Sequence, residues 1–91
     1  MPYITAEQRK KYDGTIDALV SSIDGPGELN YVITKICHKC LYPKLGNYGY
    51  TDLNRIMGVL ESVKQEFYRK VVVPYENLKR LKNGPVSGLD A

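Results

Sequence analysis

Tyrosines and basic residues alternate along the last third of the chain, in a stretch whose pattern predicts a long helix. Phenol rings stack on flat aromatic ligands, and ammonium or guanidinium groups bind phosphate oxygens. A helix that needed only solubility would more simply mix glutamate with lysine. The combination favours an anionic partner that carries a flat ring, as a nucleotide does. The side chains of this set are Lys64, Tyr68, Arg69, Lys70, Tyr75, Lys79 and Arg80.

A second set of the same kind lies earlier in the chain. Tyr31, Lys35, His38 and Tyr42 recur at i, i+4, i+7 and i+11, which is one ridge of a helix, with Asn30 alongside. A base can stack on tyrosine, while lysine holds phosphate and asparagine contacts a ring edge or a ribose hydroxyl. The predicted ligand-binding residues are Asn30, Tyr31, Lys35, Lys64, Tyr68 and Arg69.

Both sets also fit a helix–helix or subunit interface, where tyrosine and arginine are favoured. A site built across such an interface would satisfy both interpretations. The sequence leaves the two open.

A cluster formed by Cys37, His38 and Cys40 has metal-ligand residue types but offers at most three of the four ligands that zinc requires. Both cysteines fall on the apolar face of the second predicted helix, where a free cysteine behaves as a small hydrophobe. They lie near the end of that helix, whereas a redox thiol needs its beginning. We therefore predict core packing for both cysteines, and no metal or cofactor.

No catalytic motif is present. The single histidine has no fixed nucleophile partner, and Glu61 and Glu66 are spaced to pair with Lys64 and Lys70 on their own helix. The stretch 25–27, Gly-Pro-Gly, is too short for a phosphate loop and is predicted to be a turn. The sequence predicts that the protein is not an enzyme.

Length and charge limit the number of domains and the kinds of partner that the chain can have. Ninety-one residues suffice for one domain, 1–91, with only a modest core, so self-association would add stability. The net charge of +3 is too small to favour binding to duplex nucleic acid. No apolar run approaches the ~20 residues that cross a bilayer, and the first residues lack the apolar core of a signal peptide. We expect no membrane partner and a cytoplasmic location.

Apolar spacing predicts three helices, at about 6–23, 26–42 and 51–82, followed by a mobile tail at 85–91. Thr5 and Gln8 form a predicted capping box, and Pro74 is expected to kink or break the third helix. The predicted fold is all-α, a three-helix hairpin or bundle with a long kinked C-terminal helix, assembled as a homo-oligomer. The expected core faces are Leu29, Val32, Ile33, Ile36, Cys37, Cys40 and Leu41, and Leu53, Ile56, Met57, Leu60, Val63, Phe67 and Val71.

The frames GELNYVITKI, at 27–36, and GVLESVKQEFYRKVVVPYE, at 58–76, resemble a family of small uncharacterised proteins from tailed phages and environmental phage genomes. The opening MPYI and the closing Asn83 and Gly84 extend this resemblance over most of the chain. The resemblance implies a phage protein in the infected bacterial host and carries no established chemistry.

In size, helicity and Tyr/Arg/Lys content the chain is also similar to phage sponges. These helical homo-oligomers bind the cyclic or ADP-ribose-derived nucleotide signals of bacterial immune systems such as Thoeris and CBASS, and need no catalytic group. By this analogy the chain is expected to sequester such a signal. Two alternatives are a structural or interaction protein of the phage particle and a small nucleic-acid-binding regulator.

Overall fold

The computed structural model describes residues 3–91, and every regular element in that range is helical. Met1 and Pro2 of the MPYI frame lie outside the described residues. The predicted all-α class is confirmed, with three helices of which the C-terminal one is long. The first two helices are α1 (Ala6–Val20) and α2 (Gly25–Leu41). The long third helix consists of α3 (Tyr50–Phe67), a π segment (Tyr68–Val72) and α4 (Val73–Asn83), and 3-10 turns lie at Tyr42–Lys44 and Gly88–Asp90.

The chain divides into two compact units. The first ends at Gly49 and holds α1 and α2, and the second begins at Tyr50 and holds α3, the π segment and α4.

The first helix begins as its sequence predicts. The backbone N–H of Gln8 donates to Thr5 Oγ1 at 3.2 Å, and the N–H of Thr5 donates to Gln8 Oε1 at 2.8 Å. This reciprocal pair satisfies two amides that have no partner inside the helix. α1 ends at Val20, three residues before the predicted end, because the hydroxyls of Ser21 and Ser22 bind backbone carbonyls of the last turn.

The second helix is entered through a tight turn. Gly25 has a φ of 87°, a conformation that glycine adopts without steric cost, and Pro26 occupies the first turn, where its missing N–H is no loss. The N–H of Asp24 donates to the Glu28 carboxylate at 2.8 Å, which closes the turn. After Leu41 the chain continues as a 3-10 turn that accommodates Pro43.

The second unit is one continuous helix from Tyr50 to Asn83 followed by a short turn. Pro74 cannot donate to the helical ladder, and the ladder widens just before it: the N–H of Val73 donates to the carbonyl of Tyr68, five residues back. The π segment thus absorbs the proline without ending the helix. Its extra residue turns the following positions by about 100°, the rotation per residue of an α-helix.

Local hydrogen bonds close the last helix and the residues after it. Gly84, with a φ of 85°, closes α4 through its N–H to the carbonyl of Arg80 at 2.8 Å. The Asp90 carboxylate then accepts from the backbone N–H groups of Val86 and Ser87 at 3.2 and 2.9 Å. These bonds hold the pKa of Asp90 below its ordinary value.

The predicted core is not formed in the chain by itself, since no side chain in residues 3–91 is buried. Ile36, predicted at the centre of a core face, is 53% exposed, Cys37 is half-buried and Cys40 is exposed. The prediction of core packing was wrong for these residues in the chain by itself, because α1 and α2 make no broad contact.

Among the described residues, none of the helices combines the length and the apolar character that a bilayer-spanning segment needs.

The capping box gives a first testable prediction. Replacing Thr5 by Ala leaves the N–H of Gln8 without its side-chain acceptor, so we expect the free energy of unfolding to fall by about 1 kcal/mol. Denaturant titration followed by circular dichroism measures the loss.

Thr15 provides the matched control, because it lies inside α1 and takes no part in the cap. Thr15→Ala removes the same atoms and improves helix propensity, so stability should stay level or rise by a few tenths of a kcal/mol, as roughly expected from intrinsic propensities. Equal losses for the two variants would show that the cap contributes nothing.

Candidate ligand-binding groove

The first unit carries an open groove of about 420 Å³ where the end of α1 adjoins one face of α2. Tyr31, Lys35 and Lys39 recur at intervals of four residues, so their side chains rise on one stripe of the helix. The apolar floor lies beside that stripe, one residue further along α2 in each turn. The complete lining is Leu19, Tyr31, Val32, Lys35, Ile36, Lys39 and Cys40.

The groove combines a ring, two cations and an apolar floor. The Tyr31 ring is 63% exposed and therefore open to stacking. Lys35 forms no ion pair within residues 3–91, and the Lys39 ammonium lies over the Tyr42 ring, 4.0 Å from its centroid. Because no carboxylate lines the groove, its charge is positive. The arrangement suits an anion that also carries an apolar or aromatic part.

Two of the six predicted ligand residues, Tyr31 and Lys35, lie together in this groove. Asn30 lies on the same helix and is not part of the lining. Its backbone carbonyl accepts from the Thr34 hydroxyl at 2.8 Å, and its side-chain oxygen lies 3.5 Å from the same hydroxyl. Asn30 is therefore engaged locally, within one turn of α2.

The other three predicted residues lie on the second unit, and two of them are already paired. Lys64 lies 3.4 Å from the Glu61 carboxylate, and Arg69 donates to Glu66 at 3.1 Å. Tyr68 and Arg69 both belong to the π segment, a kind of element that often occurs at functional sites. A ligand phosphate would have to compete with these carboxylates for Lys64 and Arg69.

Glu61 has the clearest electrostatic signature among these side chains. Its oxygen accepts from the Gln65 amide at 3.0 Å, and the Lys64 ammonium lies on its other side. The Gln65 hydrogen bond, followed by the Lys64 contact, holds the pKa of Glu61 below its ordinary value. Both effects act because they stabilise the charged form of the carboxyl.

Sequence reasoning missed Lys39 and Leu19. The predicted ridge goes from Lys35 to His38 by a step of three residues, whereas a step of four from Lys35 reaches Lys39. The spacing signal for Lys39 was therefore available. No spacing within α2 could have identified Leu19, because it comes from a different helix.

The Cys37, His38 and Cys40 cluster does not assemble a metal centre in the described part of the chain, where no three metal-ligating side chains of this kind converge. Cys40 instead lines the groove, and Cys37 is half-buried.

A family model described as a domain of unknown function, DUF6899, matches residues 1–86, and the chain belongs to that family. No curated protein and no solved structure matches the chain.

The Glu61 contacts give a second testable prediction. Since its folded-state pKa is lowered, the stabilisation is present above the ordinary value of about 4.5 and is lost as the pH falls through the folded-state pKa. Gln65→Ala removes the main cause and should raise the pKa of Glu61 toward its ordinary value. Carbon-detected NMR titration of the Glu61 carboxyl measures this shift.

Ser62→Ala is the control, because it changes a neighbouring side chain that does not touch the Glu61 carboxylate. An unchanged Glu61 titration in Gln65→Ala would contradict the assigned cause.

Proposed function

We propose that this DUF6899 protein is a non-catalytic binder that sequesters a nucleotide-derived signal, either a cyclic nucleotide or an ADP-ribose derivative. In this proposal it acts as a phage anti-defence sponge in the cytoplasm of an infected bacterium, assembled as a homo-oligomeric helical bundle. The observation that carries the proposal is the groove in which Tyr31, Lys35 and Lys39 flank an apolar floor.

The ring and the floor of the groove support recognition of a base. Tyr31 offers an exposed aromatic face, and Val32 and Ile36 supply apolar contact beside it. Stacking of this kind tolerates different bases, because every base has a flat face. The volume of about 420 Å³ falls within the range of roughly 300–1000 Å³ that is usual for small-molecule sites.

The two lysines support recognition of phosphate. They are four residues apart, so their backbone positions differ by about 6 Å along the helix axis. Long side chains at that separation can reach one diphosphate or two separate phosphates. Neither lysine has a carboxylate partner within residues 3–91, so binding an anion would break no ion pair there.

Lys64, Tyr68 and Arg69 are a secondary candidate set under this proposal. Lys64 and Arg69 would have to exchange a glutamate for a phosphate. This costs more free energy than binding a phosphate at Lys35, because the existing ion pairs must first separate. The π segment keeps Tyr68 and Arg69 adjacent on a widened turn. These three residues should therefore contribute less to the free energy of ligand binding than the residues of the groove.

A homo-oligomeric bundle supports sequestration in two ways. It would cover the apolar faces that the chain leaves exposed, and it could close an open groove over its ligand. An enclosed ligand dissociates slowly, and withholding a signal requires slow release more than it requires chemistry.

The exposed apolar faces also favour a second candidate, an interaction or morphogenesis protein of the phage particle. Such a protein would use the same faces to bind other proteins and would release no small molecule when purified from cells and heated. Mass spectrometry of the heated supernatant separates the two candidates.

The groove gives a third testable prediction. Lys35→Met and Lys39→Met each remove one ammonium group and keep most of the side-chain volume, so each should weaken binding about ten- to hundred-fold, as expected for one charge-assisted hydrogen bond. Isothermal titration calorimetry against cyclic dinucleotides, cyclic trinucleotides and cyclic ADP-ribose isomers measures the affinities.

Lys11→Met is the matched control, because it removes the same charge from the first unit at a position outside the groove. Tyr31→Phe should bind like the wild type and Tyr31→Ala should bind more weakly if stacking is the contribution of Tyr31. Failure of the wild type to bind any member of the panel, with no nucleotide released from protein made in signal-producing cells, would overturn the proposal.

A further inference from the structure

We infer that the groove on α2 takes a ligand with one base and one diphosphate, that is, a nucleoside diphosphate or a derivative of one, in preference to a cyclic dinucleotide. The inference rests on the function proposed above and narrows its ligand class. It comes from the order of the ring and the two cations along the groove, which is Tyr31, then Lys35, then Lys39.

The three side chains lie in one row with the ring at one end. Successive members are four residues apart, so Lys35 lies about 6 Å and Lys39 about 12 Å from Tyr31 along the helix axis. A nucleoside diphosphate has the same order, because its base, its α-phosphate and its β-phosphate follow one another in a line. A base stacked on Tyr31 would therefore direct the α-phosphate toward Lys35 and the β-phosphate toward Lys39.

The position of the Lys39 ammonium defines the far end of the row. This ammonium lies over the Tyr42 ring, 4.0 Å from the ring centroid, and Tyr42 follows Lys39 by three residues. The Lys39 side chain therefore extends toward the end of α2, away from Tyr31. An ammonium group has three donors, so its contact with the ring leaves donors for a phosphate.

A cyclic dinucleotide has a base on each side of its two phosphates, so a matching groove would offer a ring at both ends. Among the described residues, Tyr31 is the one aromatic side chain in the lining, and its ring is 63% exposed. Tyr42 lies beyond Lys39 but is not part of the lining, and the Lys39 ammonium covers its face. The groove therefore offers stacking for one base.

The charges of the groove favour two linked phosphates. Lys35 and Lys39 are like charges at i and i+4, an arrangement that destabilises a helix by itself. A diphosphate that contacts both ammonium groups would offset their repulsion. Because no carboxylate belongs to the described lining, the ligand would supply the negative charge that this part of α2 lacks.

The first test keeps the base constant and varies the phosphates. Isothermal titration calorimetry on the full chain uses adenosine, AMP, ADP and cyclic di-AMP. We expect the affinity to rise about ten-fold from AMP to ADP, because the β-phosphate adds one charge-assisted contact at Lys39, and we expect ADP to bind more tightly than cyclic di-AMP. ADP that binds no better than AMP, or cyclic di-AMP that binds as tightly as ADP, would overturn the inference.

The second test assigns each phosphate to one lysine. Lys35→Met should weaken the binding of AMP and of ADP alike, by about ten-fold, because both carry the α-phosphate. Lys39→Met should weaken ADP binding by about ten-fold and leave AMP binding unchanged. Lys11→Met removes the same charge outside the groove and should change neither affinity. Equal losses of AMP affinity in the two groove variants would contradict the proposed order.

Pyrophosphate tests the contribution of the base. It carries the linked phosphates but has no ring to stack on Tyr31, so it should bind at least about ten-fold more weakly than ADP. Equal affinities for pyrophosphate and ADP would show that the groove recognises only charge, and would overturn the inference.

The outcomes separate this inference from the proposed function. If a cyclic dinucleotide or trinucleotide binds and ADP does not, the proposed function stands and the inference fails. If no nucleotide binds and none is released from protein made in signal-producing cells, both fail.

Discussion

A single helix cannot bury its own apolar face, and that constraint governs this chain. The hydrogen bonds of α1, α2 and the helix from Tyr50 to Asn83 are local, as are their caps and ion pairs. Local bonds of this kind stabilise a helix only marginally, and most helical stability in proteins comes from packing an apolar face against another element. No side chain is buried in residues 3–91, so the helices by themselves lack this packing contribution to stability.

The same constraint shapes the candidate site. A groove built on one face of α2 is open, because its lining comes from that face and from the end of α1 alone. Its residues nevertheless have a defined chemistry: a ring at Tyr31, an ammonium group at Lys35 with no ion pair in residues 3–91, and an apolar floor. In the second unit, by contrast, Lys64 and Arg69 are matched by glutamates within one turn. The two sets have similar composition and differ in whether their charge is already neutralised.

The fold was predictable where it depends on residues close together in sequence. The all-α class, the capping box at Thr5 and the long C-terminal helix follow from spacing and from local hydrogen bonds. The exposure of Ile36 was not predictable, because spacing shows that a face is apolar without showing what covers it. The response of the helix to Pro74 was also beyond the sequence, since a proline can be met by a break, a kink or a π turn. At the site, spacing predicted that Tyr31 and Lys35 lie on one face of α2. The place of Leu19 in the lining could not be predicted, because it depends on a contact between α1 and α2.

The lack of buried side chains also has a thermodynamic consequence. Unfolding of a globular domain is accompanied by a large increase in heat capacity, because apolar surface that was dry becomes hydrated. Because no side chain is buried in residues 3–91, unfolding of the chain by itself should bring a smaller increase than this. In the homo-oligomer proposed above, the larger part of the heat-capacity change would accompany association of the chains, and calorimetry would show the signature of a folded domain only for the assembled protein.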